Sequence, residues 1–531
     1  MIKRRLWLCF GVVLLATACQ PQPTAPPPEV LRISIARDVV SLDPTQVHQP
    51  SVDESLIRNL YNGLYKFDDS LKESPDLATA MPAVSSDRKT WTFHIRPDAK
   101  FGNGDRVTAD DVIFSWNRAA RVQSADALVF EPVAGFDAVQ SGKQSTLAGL
   151  SAPDQGTVVA NLSAPAEYWF ALLGIWPAYV LNRRVLQDYG DKDWWRTPKH
   201  LSDSATGPFQ LNAWQPGMWL DFTPTPNWWG GGTGTLTRVR AEILATASDT
   251  LAAYGHGDVD IVGYAPNGRM PEITLDALAN YESDSKLASQ VHSRPWYETV
   301  WLKFYMRSGP LAGPDGRMAR KALSQAIDRK AFVGAACNGG LTCVPATGGM
   351  FLPGLQGYLG ANKDPNAKFD VSAAKADLRS WDPGGTRSRG LHMYTFSIYK
   401  PLVEEVHRQW LVNLGIDVPF DIVDSPAMNR VISGGVNTVD FDSPQNFLTE
   451  FFDSPSYSNP VFNELETTAE AQLPSQALPL YKQAEQILED DVAVASLGYR
   501  LGIFLIKPSV FGAGGNALYE YYWRGISIKT G

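Results

Sequence analysis

The chain has 531 residues, of which 44% are apolar and 19% charged. A chain of this length is too long to fold around one simple hydrophobic core, so we expect two or three lobes. The formal charge is 47 − 56 = −9. No cluster of Lys and Arg follows the first few residues, which argues against nucleic-acid binding because neutralising phosphates requires clustered cations.

The N-terminus has the pattern of a bacterial export signal. Basic residues 3–5 precede an apolar run over residues 6–18, which is too short for a bilayer that takes about 20 helical residues. Cys19 follows small residues and resembles a lipobox, whose cysteine is diacylated and becomes the mature N-terminus. Residues 16–18, Ala-Thr-Ala, also fit an ordinary cleavage site.

Residues 20–29 contain five prolines and no large apolar side chain, a composition typical of an extended spacer between an anchor and a globular body. We therefore predict a signal peptide over residues 1–18 and a Pro-rich tether over residues 19–29. The protein is expected in the periplasm or at the cell surface, attached to the membrane through Cys19. No later segment is long and apolar enough to be a membrane span.

The first half of the chain alternates between strand and helix patterns. Residues 31–35 alternate apolar and polar side chains and predict the first strand. Residues 56–64 have helical spacing, and residues 91–95 alternate again. Thr108 is a plausible N-cap for a helix with one apolar face over residues 112–120.

The second half mixes both patterns. Residues 318–331 predict an amphipathic helix, and residues 401–415 predict another, whose inward face includes Trp410. A strand is expected over residues 416–422 and a last long helix over residues 477–488. Strands that alternate with helices, without an internal repeat, indicate α/β lobes.

Beyond Cys19, the chain has two cysteines, Cys337 and Cys343. In an oxidising compartment, a small disulfide loop is the natural interpretation, and two free thiols are the alternative. No Cys or His lies close by to complete four zinc ligands, so no metal site is expected.

Several segments follow one another in a characteristic order. They are residues 54–64, residues 91–101, residues 101–112 with the pattern F-x-x-G-x-x-x-T-A-x-D-V, Gly207-Pro208-Phe209, Asn227-Trp228-Trp229, and residues 317–330 with the pattern R-x-A-x-x-x-A-I-D-R. Through them the chain resembles family 5 of the extracellular solute-binding proteins, the dipeptide and oligopeptide receptors of ABC importers. The resemblance extends from about residue 30 to about residue 515.

The resemblance implies an α/β fold of the two-lobed periplasmic-binding-protein type (type II, cluster C). It places the first lobe at residues 30–265, with an extra subdomain at about 55–190, and the second lobe at residues 266–490. Residues 491–531 return to the first lobe. Ligand would enter between open lobes, the lobes would close by hinge motion, and the closed form would dock on a membrane permease. No cofactor is implied, and we expect a monomer.

A receptor for many peptides recognises the backbone and the charged ends, and a buried ammonium needs a carboxylate partner. Residues 439–448 resemble an A-D-Y-x-x-P-x-x-F-L segment whose Asp has this role in oligopeptide receptors, and Asp440 falls on that Asp. A turn or capping aspartate is the alternative, and Asp442 would take the role if the register differs by two. Arg430 is the nearest cation for a ligand carboxylate, or else a solvated surface arginine.

Other residues are expected at the cleft on the same resemblance. Trp410 falls on a Trp that lines the cavity in oligopeptide receptors, with ordinary helix packing as the alternative. The segment with Val39, Val40 and Ser41 contributes backbone, and Phe130 forms part of the wall. The loop that contains the two cysteines falls at the cleft mouth.

Three other functions were weighed. A secreted hydrolase would need paired carboxylates, but neighbours such as Asp110 and Asp111 point to different faces of a helix, and neither His-Glu-x-x-His nor Gly-x-Ser-x-Gly occurs. We therefore expect no enzymatic activity. A non-peptide ligand (an oligosaccharide, a nickel chelate, an opine or haem) and a receptor that feeds a sensor stay open.

Overall fold

The computed structural model describes residues 29–47, 52–68, 71–263, 273, 275–423, 431–438, 441–514 and 522–529. The predicted signal peptide, Cys19, Arg430 and Asp440 lie outside the described residues. The strands of the described part are β1 (Val30–Ile35), β2 (Tyr65–Phe67), β3 (Glu73–Pro75), β4 (Ala83–Val84), β5 (Thr90–His94), β6 (Leu150–Asp154), β7 (Thr157–Asn161), β8 (Phe209–Gln215), β9 (Trp219–Pro224), β10 (Arg238–Ile243), β11 (Ile261–Val262), β12 (Val291–Phe304), β13 (Cys343–Pro345), β14 (Met393–Thr395), β15 (Phe420–Ile422), β16 (Ile432–Thr438), β17 (Val494–Ile506), β18 (Val510–Phe511) and β19 (Ser527–Ile528).

The helices of the same residues are α1 (Val52–Ile57), α2 (Ala109–Ala120), α3 (Phe136–Gln140), α4 (Trp169–Leu172), α5 (Arg183–Tyr189), α6 (Pro198–Ser204), α7 (Ala247–His256), α8 (Leu275–Ser283), α9 (Gly313–Gln325), α10 (Arg329–Ala336), α11 (Val371–Trp381), α12 (Lys400–Leu414), α13 (Gln445–Leu448), α14 (Pro460–Glu470) and α15 (Pro474–Asp491). Across the described ranges, none of these helices has the length and apolar character that crossing a membrane requires.

One mixed sheet runs through both lobes, in the order β15-β14-β16-β12-β17-β11-β1-β10-β9-β8, with β13 also paired to β17. By the lobe bounds predicted from the sequence, strands β8 to β11 and β1 fall in the first lobe, and β13 to β16 with α9 to α15 fall in the second. The mixed α/β architecture agrees with the fold class expected from the sequence.

The long strands β12 and β17 connect the two lobes. They have 14 and 13 residues, about twice the usual strand length of 5–6 residues. The part of β12 before Pro295 pairs with β17 beside the first lobe, and the part after Thr299 pairs with β17 and β16 in the second lobe. The register shifts between Pro295 and Thr299. This irregularity divides the two paired stretches and marks the hinge.

The first lobe carries a separate four-stranded sheet in the order β4-β5-β7-β6. It packs against α2, which begins at Thr108 as predicted. Thr108 and Asp111 form a capping box there, with the Thr108 N–H donating to the Asp111 carboxylate at 2.9 Å. The inward residues of β5 pack on buried tryptophans, with ring centroids 5.8 Å apart for Phe93 and Trp116.

The second lobe differs from the sequence prediction in two places. The helix predicted over residues 318–331 is two helices, because the Asp328 side chain accepts from the N–H groups of Lys330 and Ala331 and starts α10 anew. The strand predicted over residues 416–422 is shorter and begins at Phe420. Helix α12 ends at Gly415 with a φ of 74°, as expected for a glycine C-cap.

Candidate functional site

Two strands lead into the hinge from opposite lobes. β1 lies parallel to β11, with Ile33 opposite Ile261. β11 in turn pairs antiparallel with the last residues of β17. The carboxyl end of β1 therefore points toward the middle of β17. β16 ends at Thr438, opposite Glu298 next to the irregularity in β12. Ligands of open α/β sheets bind beyond the carboxyl ends of strands. The segments after β1 and β16 are therefore the expected walls of a cleft between the lobes.

The wall from the first lobe is held by Asp53 at the start of α1. Its Oδ1 accepts the N–H groups of Val40 and Ser41 at 2.6 and 3.3 Å, and its Oδ2 lies 2.6 Å from Arg37. Val39 and Ser41 are buried, whereas Val40 is 67% exposed. Within the described ranges, the carbonyl oxygens of residues 39–41 accept no hydrogen bond. Of the three residues only Val40 is exposed, so it is the position at which an extended ligand could pair with this segment.

In the wall from the second lobe, Asp442 is already engaged. It is 7% exposed, and its Oδ1 accepts the backbone N–H of Gln356 at 3.2 Å. The Gln356 side-chain amide also donates to the Asp442 carbonyl at 2.9 Å. Burial raises the pKa of Asp442 to about 6, and the bonds from Gln356 oppose that rise. Asp442 therefore ties the loop around Gln356 to the segment that follows β16.

A polar cluster at the hinge was missed by the sequence reasoning. Glu298 accepts from the Thr438 hydroxyl at 3.1 Å and lies 3.5 Å from Arg500 on β17. Burial raises the pKa of Glu298, and Arg500 opposes the rise. Tyr399 lies nearby, and burial followed by the charge of Glu298 raises its pKa to about 12. The signal available in the sequence was the presence of charged residues, among them Glu298 and Arg500, inside two long segments rich in apolar side chains.

Trp410 and Phe130 are core residues. Trp410 has no exposed surface in the second lobe, and its indole N–H donates to the Leu323 carbonyl at 2.8 Å. Phe130 is equally buried in the first lobe, with its ring 5.6 Å from that of Trp116. Neither side chain offers a surface to a ligand in this conformation. For Trp410, this is the packing role that the helix pattern itself predicted.

Cys337 and Cys343 are joined by a disulfide, with their Cα atoms 5.5 Å apart. Cys343 begins β13, which lies opposite Arg500 and Gly498 of β17. The disulfide loop is thus attached to the hinge strand itself.

A cavity of about 230 Å³ lies where the first lobe faces α15 and the segment after β16. Its acidic lining residues are Glu73, Glu167 and Asp442. The other lining residues are apolar, aromatic or uncharged: Met81, Tyr168, Phe170, Ala171, Gln356, Ser443, Pro444, Pro474, Leu478 and Tyr481. These positions are up to about 400 residues apart in the sequence, and only the fold brings them together.

The carboxylate pair weighed for a hydrolase has a structural explanation. Asp111 is used in the cap of α2, while Asp110 is 63% exposed and 3.7 Å from Arg183. Among the residues that the structure describes, no group of three or more His, Cys, Asp or Glu side chains is arranged to hold a metal ion.

Two lobes, joined by continuous strands around a cleft, define a receptor of the two-lobed periplasmic-binding type. The family model of the bacterial extracellular solute-binding proteins, family 5 middle, matches residues 72–459. The chain belongs to family 5 of the bacterial extracellular solute-binding proteins, as the sequence resemblance predicted.

Relatives and solved structures agree with this assignment. The periplasmic oligopeptide-binding protein OppA of Escherichia coli is 26% identical over 550 residues, covering 98% of this chain and 96% of the relative. The unliganded open form of the periplasmic murein tripeptide-binding protein MppA superposes with a TM-score of 0.80 at 22% identity, covering 95% of this chain and 98% of that one. Haemophilus influenzae OppA in complex with RPPGFSPFR superposes with a TM-score of 0.70 at 21% identity, covering 96% and 100%.

Proposed function

We propose that this protein binds peptides between its lobes and delivers them, chemically unaltered, to the membrane permease of an ABC importer. The observation that carries the proposal is the arrangement at the hinge. β1 and β16 both end there, and the segment after β1 presents the exposed Val40, whose carbonyl accepts no hydrogen bond from the described residues, to an extended chain. Strand-like pairing to a shared backbone suits a receptor that accepts many side chains. Membership in family 5 and the peptide-binding names of its relatives support the same function.

Asp440 is our candidate for the anchor of the peptide α-ammonium, and Arg430 for its carboxylate. Asp440 follows β16 by two residues and so belongs to the segment that leads from the hinge. A buried ammonium without a carboxylate partner is strongly unfavourable. Release of the ligand unaltered requires only opening and closing about β12 and β17, driven by the ligand's preference for the closed form.

The mature protein is proposed to act outside the cytoplasm as a monomer attached to the membrane through lipidated Cys19, with residues 20–29 as tether. The pattern at the N-terminus and the periplasmic names of several relatives support this location. We also propose that it has no enzymatic activity.

The experiment is calorimetric titration with peptides selected from a random library of short peptides, each measured with a free and an acetylated N-terminus. Asp440→Ala and acetylation should each weaken binding by about two orders of magnitude or more, since losing one partner of a buried pair costs about 3–5 kcal/mol. Asp417→Asn is the control, because the Asp417 side chain is 77% exposed in the same lobe. Affinity that is unchanged by both the Asp440 substitution and acetylation would contradict the assignment of the anchor, and a library without binders would contradict the peptide function.

A further inference from the structure

The cavity between the lobes has an unbalanced charge. Three carboxyl groups line it, from Glu73 and Glu167 of the first lobe and Asp442 of the second, and no Lys or Arg is among its lining residues. Its volume of about 230 Å³ is below the range of about 300–1,000 Å³ that is usual for whole small-molecule ligands. The size fits one side chain of a larger ligand.

These carboxyl groups are costly to ionise in the present structure. Burial raises the pKa of Glu73 to about 7, with Asp442 and Asp68 adding to the rise and Lys72 opposing it. Burial also raises the pKa of Glu167 to about 7; the neighbouring Tyr481 hydroxyl opposes that rise, and Glu73 and Glu470 add to it. A cation placed among them would stabilise the ionised forms.

A second feature of the cavity is a hydroxyl without a proper partner. Tyr481 lines the cavity and is 1% exposed, and its hydroxyl makes no hydrogen bond of normal geometry, although Glu167 lies beside it. Buried polar groups normally have partners, so the Tyr481 hydroxyl oxygen is placed to accept a hydrogen bond from a donor that a ligand brings into the cavity.

The walls of the cavity are fixed across the gap between the lobes. The backbone N–H of Glu167 donates to the carbonyl of Glu470 at 3.1 Å, and the Arg88 guanidinium bonds the carbonyl of Ala471. Apolar side chains, including Met81 and Leu478, complete the lining. An apolar wall with carboxylates suits a long aliphatic stem that ends in a cation.

We propose that this cavity receives the lysine or arginine side chain of a peptide ligand, with Glu73 and Glu167 as its carboxylate partners and the Tyr481 hydroxyl as a further acceptor. This inference rests on the proposed peptide function. Because Asp442 lies two residues from Asp440, the basic residue belongs to the amino-terminal part of the peptide. A divalent metal ion is a poorer occupant, since the described residues offer no group with metal-binding geometry.

The test compares tripeptides of alanine that carry either lysine or norleucine, which lacks the ammonium, at the first or second position. The peptides form two lysine/norleucine pairs, one for each position. At pH 7.5, in one of these pairs, the lysine peptide should bind at least about tenfold more tightly than the norleucine peptide, as expected for hydrogen bonds to charged groups. The double variant Glu73→Gln/Glu167→Gln should lose this preference, because its neutral amides cannot pair with the lysine ammonium. Glu464→Gln is the matched control, because Glu464 is exposed.

The possible outcomes distinguish a failure of the cation pocket from a failure of the proposed peptide function. Equal affinity for lysine and norleucine peptides in the unmodified protein, or an unchanged preference in the double variant, would overturn the cation pocket and leave peptide binding intact. No binding of any peptide would overturn the proposed function itself. The double variant should fold, because it replaces two half-buried carboxyls by neutral amides of the same size, and its thermal unfolding temperature is measured alongside the affinities.

Discussion

Glu466 on α14 offers a direct test of the electrostatics between the lobes. Its side chain is buried, and neither carboxylate oxygen has a hydrogen-bond partner. Burial, and then the neighbouring charge of Glu470, raises its pKa from 4.5 to about 8. Folded protein therefore keeps a proton on Glu466 that the unfolded chain has already released. The free energy of unfolding must fall as the pH rises from about 4.5 to about 8.

The size of the effect follows from these two values. Each tenfold change in proton affinity corresponds to about 1.4 kcal/mol, so the titration of Glu466 lowers the free energy of unfolding by on the order of 3 kcal/mol between pH 5 and pH 8. Glu466→Gln removes this titration and resembles the protonated acid in size and polarity. The variant should match the unmodified protein near pH 5 and exceed its stability near pH 8.

The assay is urea unfolding followed by tryptophan fluorescence at several pH values, with Glu464→Gln on the exposed side of the same helix as the control. The control should keep the pH dependence of the unmodified protein. If Glu466→Gln also keeps it, Glu466 ionises in the folded state at an ordinary pH, and the argument from its buried, unpartnered carboxylate is refuted.

Two further predictions concern residues that the sequence placed at the cleft. Trp410→Phe leaves the Leu323 carbonyl without its donor and should lower the free energy of unfolding by about 1–3 kcal/mol. Peptide affinity, measured by calorimetric titration, should not change. Weaker binding by the variant would instead indicate that Trp410 contributes to the ligand site. Cys337→Ser/Cys343→Ser opens a short loop and should lower the free energy of unfolding by about 2 kcal/mol, measured by urea unfolding, and no loss would indicate that the pair does not constrain the loop in solution.

Much of the fold follows from local patterns. The first strand, the start of α2 at Thr108 and the end of α12 at Gly415 were predicted because a two-residue alternation, a capping side chain and a glycine each act within a few residues. The division between α9 and α10 was missed because Asp328 reads equally well as a polar residue inside a helix and as a cap. Only the geometry shows that its carboxylate accepts two backbone N–H groups.

The candidate site depends on contacts that no local pattern contains. Trp410 has the spacing of a core residue, and the structure places it in the core of the second lobe. Glu73, Glu167 and Asp442 belong to three separate segments, and in the sequence each is an ordinary acidic residue. Their shared cavity exists only because the first lobe packs against α15 and the end of β16.

The central claim is that the two lobes hold a peptide and release it intact. Native mass spectrometry of protein purified without added ligand measures this directly, by weighing the complex and then the molecule released on denaturation. Our account predicts an ion heavier than the mature chain by the mass of a short peptide, and an identical peptide mass before and after prolonged incubation. A released molecule without peptide composition, or a peptide shortened during incubation, would contradict it.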